Sequence, residues 1–198
     1  KETRCDVLST APVAALSASL DYEHPRALIG DPLPPCWHWL YFQDAVVASG
    51  LGVDGRARRA GFLPPVSLPR RMWAGSRLRF VAPLTVGEAV RRVSTIATIT
   101  HKQGRNGELV FVTVRHRIFQ DETLVIEEEQ DLVYREPGAA NVVPLPRPAP
   151  AVAQWSRDLR PDTVLLFRYG ALTFNSHRIH YDRDYATREE GYASLVVQ

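Results

Sequence analysis

Between Ser76 and Arg135 the chain repeats one pattern four times: a stretch rich in Val, Ile, Thr and Phe, then a short polar or glycine-bearing turn. The stretches cover 76–82, 89–100, 108–119 and 123–135. The turns are Val86-Gly87-Glu88, the run 103–107, and Gln120-Asp121-Glu122. In the third stretch Val110, Val112, Val114 and Ile118 fall on one face, with His116 between them, which is the period of a strand with one side on a core. Strands this close in sequence pair as antiparallel hairpins, because a parallel pair needs a long crossover. Ahead of them, Thr10-Ala11-Pro12-Val13 followed by Ala14, Leu16 and Leu20 predicts a helix with a hydroxyl cap and proline in its first turn. A proline-rich turn at 31–35 then opens an aromatic run, Trp37 to Val47, which ends in Ser49-Gly50-Leu51-Gly52 and predicts a second helix packed on the sheet. Helices followed by consecutive antiparallel strands make an α+β chain.

Residues 1–136 therefore form one unit. Five prolines in 137–150 leave no apolar period, so 137–152 reads as an extended, exposed linker. In 153–198, Pro161-Asp162-Thr163 starts a helix through Leu172, a polar loop follows, and Asp182–Glu190 forms a further short helix. So short a segment is marginal for a core of its own. Leu165, Leu166, Tyr169 and Leu172 must be covered by the first unit, by further chain or by a second protomer.

A net charge of +2 is far from that of a dedicated nucleic-acid binder. No apolar run approaches the roughly 20 residues of a membrane-spanning helix, and the polar start lacks the apolar core of a secretory signal. Cys5 and Cys36 fit no metal spacing and are read as reduced thiols of a cytoplasmic enzyme. The run Glu127-Glu128-Glu129 reads as a charged strand, since contiguous carboxylates do not make a metal site. There is no P-loop, no dinucleotide glycine fingerprint and no zinc spacing, so neither a metal nor an organic cofactor is expected.

Chemistry concentrates in Phe174-Asn175-Ser176-His177-Arg178-Ile179-His180-Tyr181-Asp182. Two imidazoles three residues apart, an amide and a carboxylate share one loop, and histidine moves protons near neutral pH. His180 and His177 are the proton-transfer candidates. Asn175 is an amide, so it can position water but cannot act as a base. Asp182 either orients His180 or caps the helix after it. Arg178, Arg70 and Arg71 are candidates for a substrate carboxylate or for phosphates, and their alternative is a solvated turn. Trp73 is a pocket wall, core residue or stacking surface. His24, His38, His101 and His116 carry no assigned role.

The same segment resembles the signature of MaoC-like hydratases and dehydratases, whose pattern is Gly-Asp, a variable residue, Asn-Pro-Ile-His, a variable residue and Asp. Aligned on His180, it places Asn175 at the family's Asp, His177 at its Asn, Arg178 at its Pro and Asp182 at its final Asp. The run from Leu166 to Ala186, together with Leu33–Phe42, Gly61–Pro65 and Leu68–Ser76, is similar to one branch. That branch comprises 3-methylfumaryl-CoA (mesaconyl-CoA) and itaconyl-CoA hydratases and fungal type 2 hydroxyacyl-thioester dehydratases.

The resemblance implies a hot-dog fold, a helix wrapped by an antiparallel sheet, with 1–136 as the N-terminal hot dog and 153–198 as the start of a second, incomplete one. It implies that the sequence continues past Gln198 with a Gly and a central helix. It further implies a cofactor-independent hydro-lyase that adds water to an unsaturated acyl-CoA or removes it in reverse, the acyl group being a short branched dicarboxylyl such as mesaconyl (3-methylfumaryl) or itaconyl. The competing readings are a hot-dog acyl-CoA thioesterase and a non-catalytic thioester-binding or assembly subunit. The expected assembly is a homo-oligomer, a dimer.

Overall fold

In a computed structural model, residues 1–22, 28–58, 61–104, 107–136, 148 and 152–198 are described. They build a five-stranded antiparallel sheet in the order β1-β3-β4-β5-β2. The strands are β1 (Glu2–Val7), β2 (Arg70–Phe80), β3 (Ala89–Gly104), β4 (Gly107–Gln120) and β5 (Thr123–Arg135), with helices α1 (Thr10–Ser19) and α2 (Thr163–Leu172). The β4–β5 hairpin closes through a two-residue turn in which Asp121 takes φ +50, a conformation that Asp tolerates better than most residues. The linker expectation falls almost wholly outside the described residues, as does His24; Pro148 and Val152 are exposed.

One face of the sheet is covered. Val112, Val114 and Ile118 of β4 and Ile126 and Tyr134 of β5 are buried on it, as the period of two requires. The other face is wet and ionic: Arg77 pairs with Glu129 at 3.1 Å and Asp131 at 2.6 Å, and Arg115 with Glu129 at 2.8 Å. Alternation sorts the glutamate run between the two. Glu127 and Glu129 take the wet face, while Glu128 is 2% exposed on the covered one.

A bulge at Ala74 changes the parity of β2. Ser76, Leu78 and Phe80 pair with Gln130, Glu128 and Ile126, whereas Trp73 and Arg71 pair with Leu132 and Tyr134. The extra residue thus brings odd and even positions to one face, and with them Arg71 and Trp73.

The aromatic run departs from its expected helix. Only Trp37–Leu40 forms a single 3-10 turn, and Tyr41 to Val47 is irregular. Long-range hydrogen bonds override the local periodicity. Asp6 of β1 accepts from the Phe42 N–H at 2.7 Å, and the Tyr41 hydroxyl donates to the Ser9 carbonyl at 2.5 Å. Leu40, Tyr41 and Phe42 are buried all the same, in one cluster with Leu8, Val13 and Leu16 from the α1 region and Val86, Ile118 and Ile126 from the sheet. The helix on the sheet is therefore α1.

The C-terminal segment completes this layer. α2 packs beside α1, Leu166 is 6% exposed, and Tyr169 and Leu172 lie against the same cluster. The first unit covers Leu166, Tyr169 and Leu172, while Leu165 is half-buried and Val164 and Phe167 stay exposed. Asp162 caps α2 by accepting from the Leu165 N–H at 2.9 Å.

Candidate active site

The loop after α2 begins with a left-handed residue. Phe174 takes φ +51, its N–H donates to the Ala171 carbonyl at 3.3 Å, and the Asn175 N–H donates to the Gly170 carbonyl at 2.8 Å. This is the double hydrogen-bonded helix stop whose left-handed position is usually glycine. Phe174→Gly is expected to raise stability by about 0.5–1 kcal/mol, the relief of left-handed strain less glycine's added chain entropy. A lower denaturant midpoint in the variant would show that contacts of the Phe174 ring outweigh that strain.

Asn175 then turns the chain back on itself: its Oδ1 accepts from the His177 N–H at 3.1 Å. The side chain is exposed, and its carbonyl shapes the loop. His177 and His180, on either side of Arg178-Ile179, turn inward and are 6% and 8% exposed.

A second loop, 50–58, clamps this one from the N-terminal unit. Ser176 Oγ donates to the Gly55 carbonyl at 2.6 Å, the Arg178 N–H to the Asp54 carbonyl at 2.9 Å, and the Arg178 guanidinium to the Val53 carbonyl at 3.1 Å. Gly55 has φ +81, and a Cβ there would collide with the Ser176 carbonyl. Glycine is required on both counts. The next residue, Arg56, reaches the histidines.

The two imidazoles have opposite polarity. His180 Nδ1 lies 2.8 Å from the Val196 carbonyl, which can only accept, so Nδ1 carries the hydrogen and Nε2 keeps a lone pair in the neutral ring. His177 Nδ1 lies 2.8 Å from Arg56 Nη2, which can only donate, so this ring carries its hydrogen on Nε2. Burial first, then the charge of Arg56, then His180 and Arg71, hold His177 at about 3. Burial also lowers His180 against the opposing pull of the Val196 carbonyl, with Arg56 adding to the lowering. Both rings are thus kept neutral at pH 7. Their centroids are 5.5 Å apart, and the planes are crossed at 86°.

The other candidates divide cleanly. Asp182 does not touch His180: its Oδ2 accepts from Arg178 at 2.7 and 3.0 Å, and its Oδ1 from the Tyr185 N–H at 3.0 Å. The carboxylate is used as a helix cap and as the partner of Arg178, and the Val196 carbonyl orients His180 instead. Arg178 also lies over the Tyr185 ring. Arg70 is paired with Glu190 at 3.5 Å. Arg71 offers its carbonyl to Arg56 Nη1 and places its own charge near His177. Trp73 is exposed, edge-on to Trp39 with centroids 5.5 Å apart, and its indole N–H donates to the Gly75 carbonyl.

Two participants are absent from the motif: Arg56, 121 residues before His177, and Val196. The Gly52–Gly55 turn was the only local sign of the first.

A cavity of about 430 Å³ opens elsewhere, between the Pro32–Pro35 turn and Phe80–Leu84, with His38 in its wall. Neither His177 nor His180 lines it.

Residues 36–198 match the family model described as hydroxyacyl-thioester dehydratase type 2. The chain is 51% identical over 193 residues to mesaconyl-C(4)-CoA hydratase of Chloroflexus aurantiacus, covering 97% of this chain and 69% of that protein. Two solved structures share the fold over 100% of this chain: HtdX of Mycobacterium tuberculosis, with a TM-score of 0.62, 15% identity and 73% of that chain covered, and a MaoC-like dehydratase from Phytophthora capsici, with 0.60, 12% and 69%. No helix among the described residues is long and apolar enough to cross a membrane. The chain belongs to the hydroxyacyl-thioester dehydratase type 2 family and has the hot-dog fold.

Proposed function

We propose that the histidine pair adds water across the double bond of a short dicarboxylyl-CoA of the mesaconyl type, or removes it in reverse. Hydratase or dehydratase chemistry on acyl-CoA thioesters follows from the family and from the relative at 51% identity. The acyl group is the finer reading, and it is supported by that relative's name.

The observation that carries the mechanism is the opposed polarity of His180 and His177. His180 Nε2, with its lone pair fixed by the Val196 carbonyl, takes a proton from water. The hydroxide adds to Cβ, the π electrons move toward the thioester oxygen, and the imidazolium returns its proton to Cα. His177 is too weak a base to share this duty at pH 7. Its Nε2–H, fixed by Arg56, donates a hydrogen bond to the water or to the oxygen that gains charge. Asn175 holds His177 in place through its backbone. The proposed sequence uses no redox step and no cofactor; coenzyme A enters only as part of the substrate.

Mesaconyl-C4-CoA incubated with the enzyme should lose its enoyl absorbance while a thiol reagent detects no free coenzyme A. Release of thiol in step with turnover would mean a thioesterase and would overturn the reading. Absence of both signals would leave a thioester-binding subunit in its place.

A further inference from the structure

The arginines around the histidine pair are not equivalent. Arg178 is neutralised by Asp182 at 2.7 Å, and Arg70 is paired with Glu190 at 3.5 Å. Arg56 and Arg71 make no ion pair among the described residues. The guanidinium of Arg56 is satisfied by two uncharged acceptors, the Arg71 carbonyl and the His177 ring. For Arg71 no side-chain hydrogen bond is present among the described residues, although the residue is half-buried. The two cations lie close enough that Arg71 lowers the pKa of Arg56, after burial itself, and both press on His177.

Two half-buried guanidinium groups lie side by side and neither makes a direct ion pair among the described residues; Asp54 and Glu190 act on Arg56 at longer range, but burial and the charge of Arg71 outweigh them. An anion would relieve both. A planar carboxylate suits the guanidinium fork better than a point charge would, because two parallel N–H···O bonds can form. The position is also selective in space. The bulge at Ala74 turns Arg71 to the covered face of the sheet, and Arg56 is already bonded to one of the two histidines. An anion held there would lie beside the reacting atoms.

We infer that Arg71, with Arg56 behind it, forms a carboxylate subsite that receives the free carboxylate of the acyl group and so selects dicarboxylyl over simple enoyl thioesters. This rests on the hydratase reading above, and it adds the residue that sets substrate class. Arg71 binds the anion directly. Arg56 is shared between that anion and His177, so it couples recognition to the polarity of the histidine.

The test uses the intact enzyme and two readouts. In the first, kcat/KM is measured for mesaconyl-C4-CoA and for crotonyl-CoA, which lacks the second carboxylate. Arg71→Gln is expected to lower the ratio of the two by about ten- to hundredfold, chiefly through KM of the dicarboxylyl substrate, and Arg71→Lys to recover part of it. A ratio unchanged in Arg71→Gln, with both substrates impaired alike, would overturn the subsite and leave Arg71 a structural residue.

The second readout needs no turnover. Succinyl-CoA and butyryl-CoA, neither of which has a double bond to hydrate, are titrated calorimetrically. Wild type should prefer succinyl-CoA by tenfold or more, and Arg71→Gln should remove the preference. That result would stand even if neither enoyl substrate were hydrated, in which case the hydratase reading alone would fall. Equal affinity of wild type for the two would sink the subsite.

Discussion

His180→Ala is expected to lower turnover on mesaconyl-C4-CoA about hundredfold or more, the usual scale for a positioned proton-transfer group. The loss should lie in kcat, because alanine removes the lone pair that water must meet and leaves the arginines that bind the substrate. His177→Ala should cost less, since on this geometry His177 supplies a hydrogen bond and no proton. Asn175→Asp should cost least, because the carboxylate keeps the acceptor that holds the His177 N–H. Full activity in His180→Ala would end the assignment. Equal losses at both histidines would point to a shared base.

The pH profile provides an independent check on the same site. His180 is lowered by burial, so it should stay neutral, and turnover stay flat, as pH falls through the ordinary histidine value near 6.5. The acid limb should appear only below it. Stability follows the same sign. In the unfolded chain each histidine takes up a proton near 6.5, whereas folded His177 resists until about 3. The unfolded state therefore binds more protons in that window. The contribution of His177 to folding is complete above 6.5 and is lost as pH falls toward 3, by roughly 3–5 kcal/mol in all.

What the sequence disclosed, and what it hid, divides by range of interaction. β3, β4 and β5 declare themselves because each has one apolar face, and a period of two survives in the bare sequence. β1 does not. Glu2-Thr3-Arg4-Cys5-Asp6-Val7 is an edge strand that alternates half-buried with exposed, and its half-buried positions are polar or charged. The first half of β2 was missed because its bulge breaks the alternation at Ala74. Trp37–Val47 carries apolar periodicity that suits a helix, but Asp6 and Ser9 dictate another course from some thirty residues away. At the site, the motif brought His177 and His180 together, since both lie in one loop. It could not reveal Arg56, which lies 121 residues before His177 in the sequence. Nor did the glutamate run announce its one buried member. A period of two across β5 sorts the three carboxylates two to one, yet the choice of face needed the neighbouring strands.

That buried member makes the second large prediction. Glu128 is 2% exposed, and it accepts from His38 Nε2 at 3.2 Å, from the Trp39 indole at 3.2 Å, from Ser76 Oγ at 3.0 Å and from Gln130 Nε2 at 2.9 Å. Burial pushes the carboxyl up, but the hydrogen bonds from His38, Gln130 and Ser76 outweigh it and hold it at about 2. This cluster lies between the two apolar clusters of the covered face, so nothing apolar can replace it piecemeal. Glu128→Gln keeps the size and loses the charge; its amide would place a donor among four donors. The expected cost is about 3–5 kcal/mol, as for removing one member of a buried pair, or a fall in melting temperature of roughly 6–20 °C for a chain of this length. His38→Phe with Glu128→Leu should not recover that loss, because the Trp39 indole, Ser76 Oγ and Gln130 Nε2 would still lack the acceptor that Glu128 supplies. A single Glu128→Gln variant that unfolds within 1 °C of wild type would show that water reaches the cluster and satisfies it. Recovery in the double variant would instead show that His38 and Glu128 stabilise each other more than the fold, each present chiefly because the other is buried.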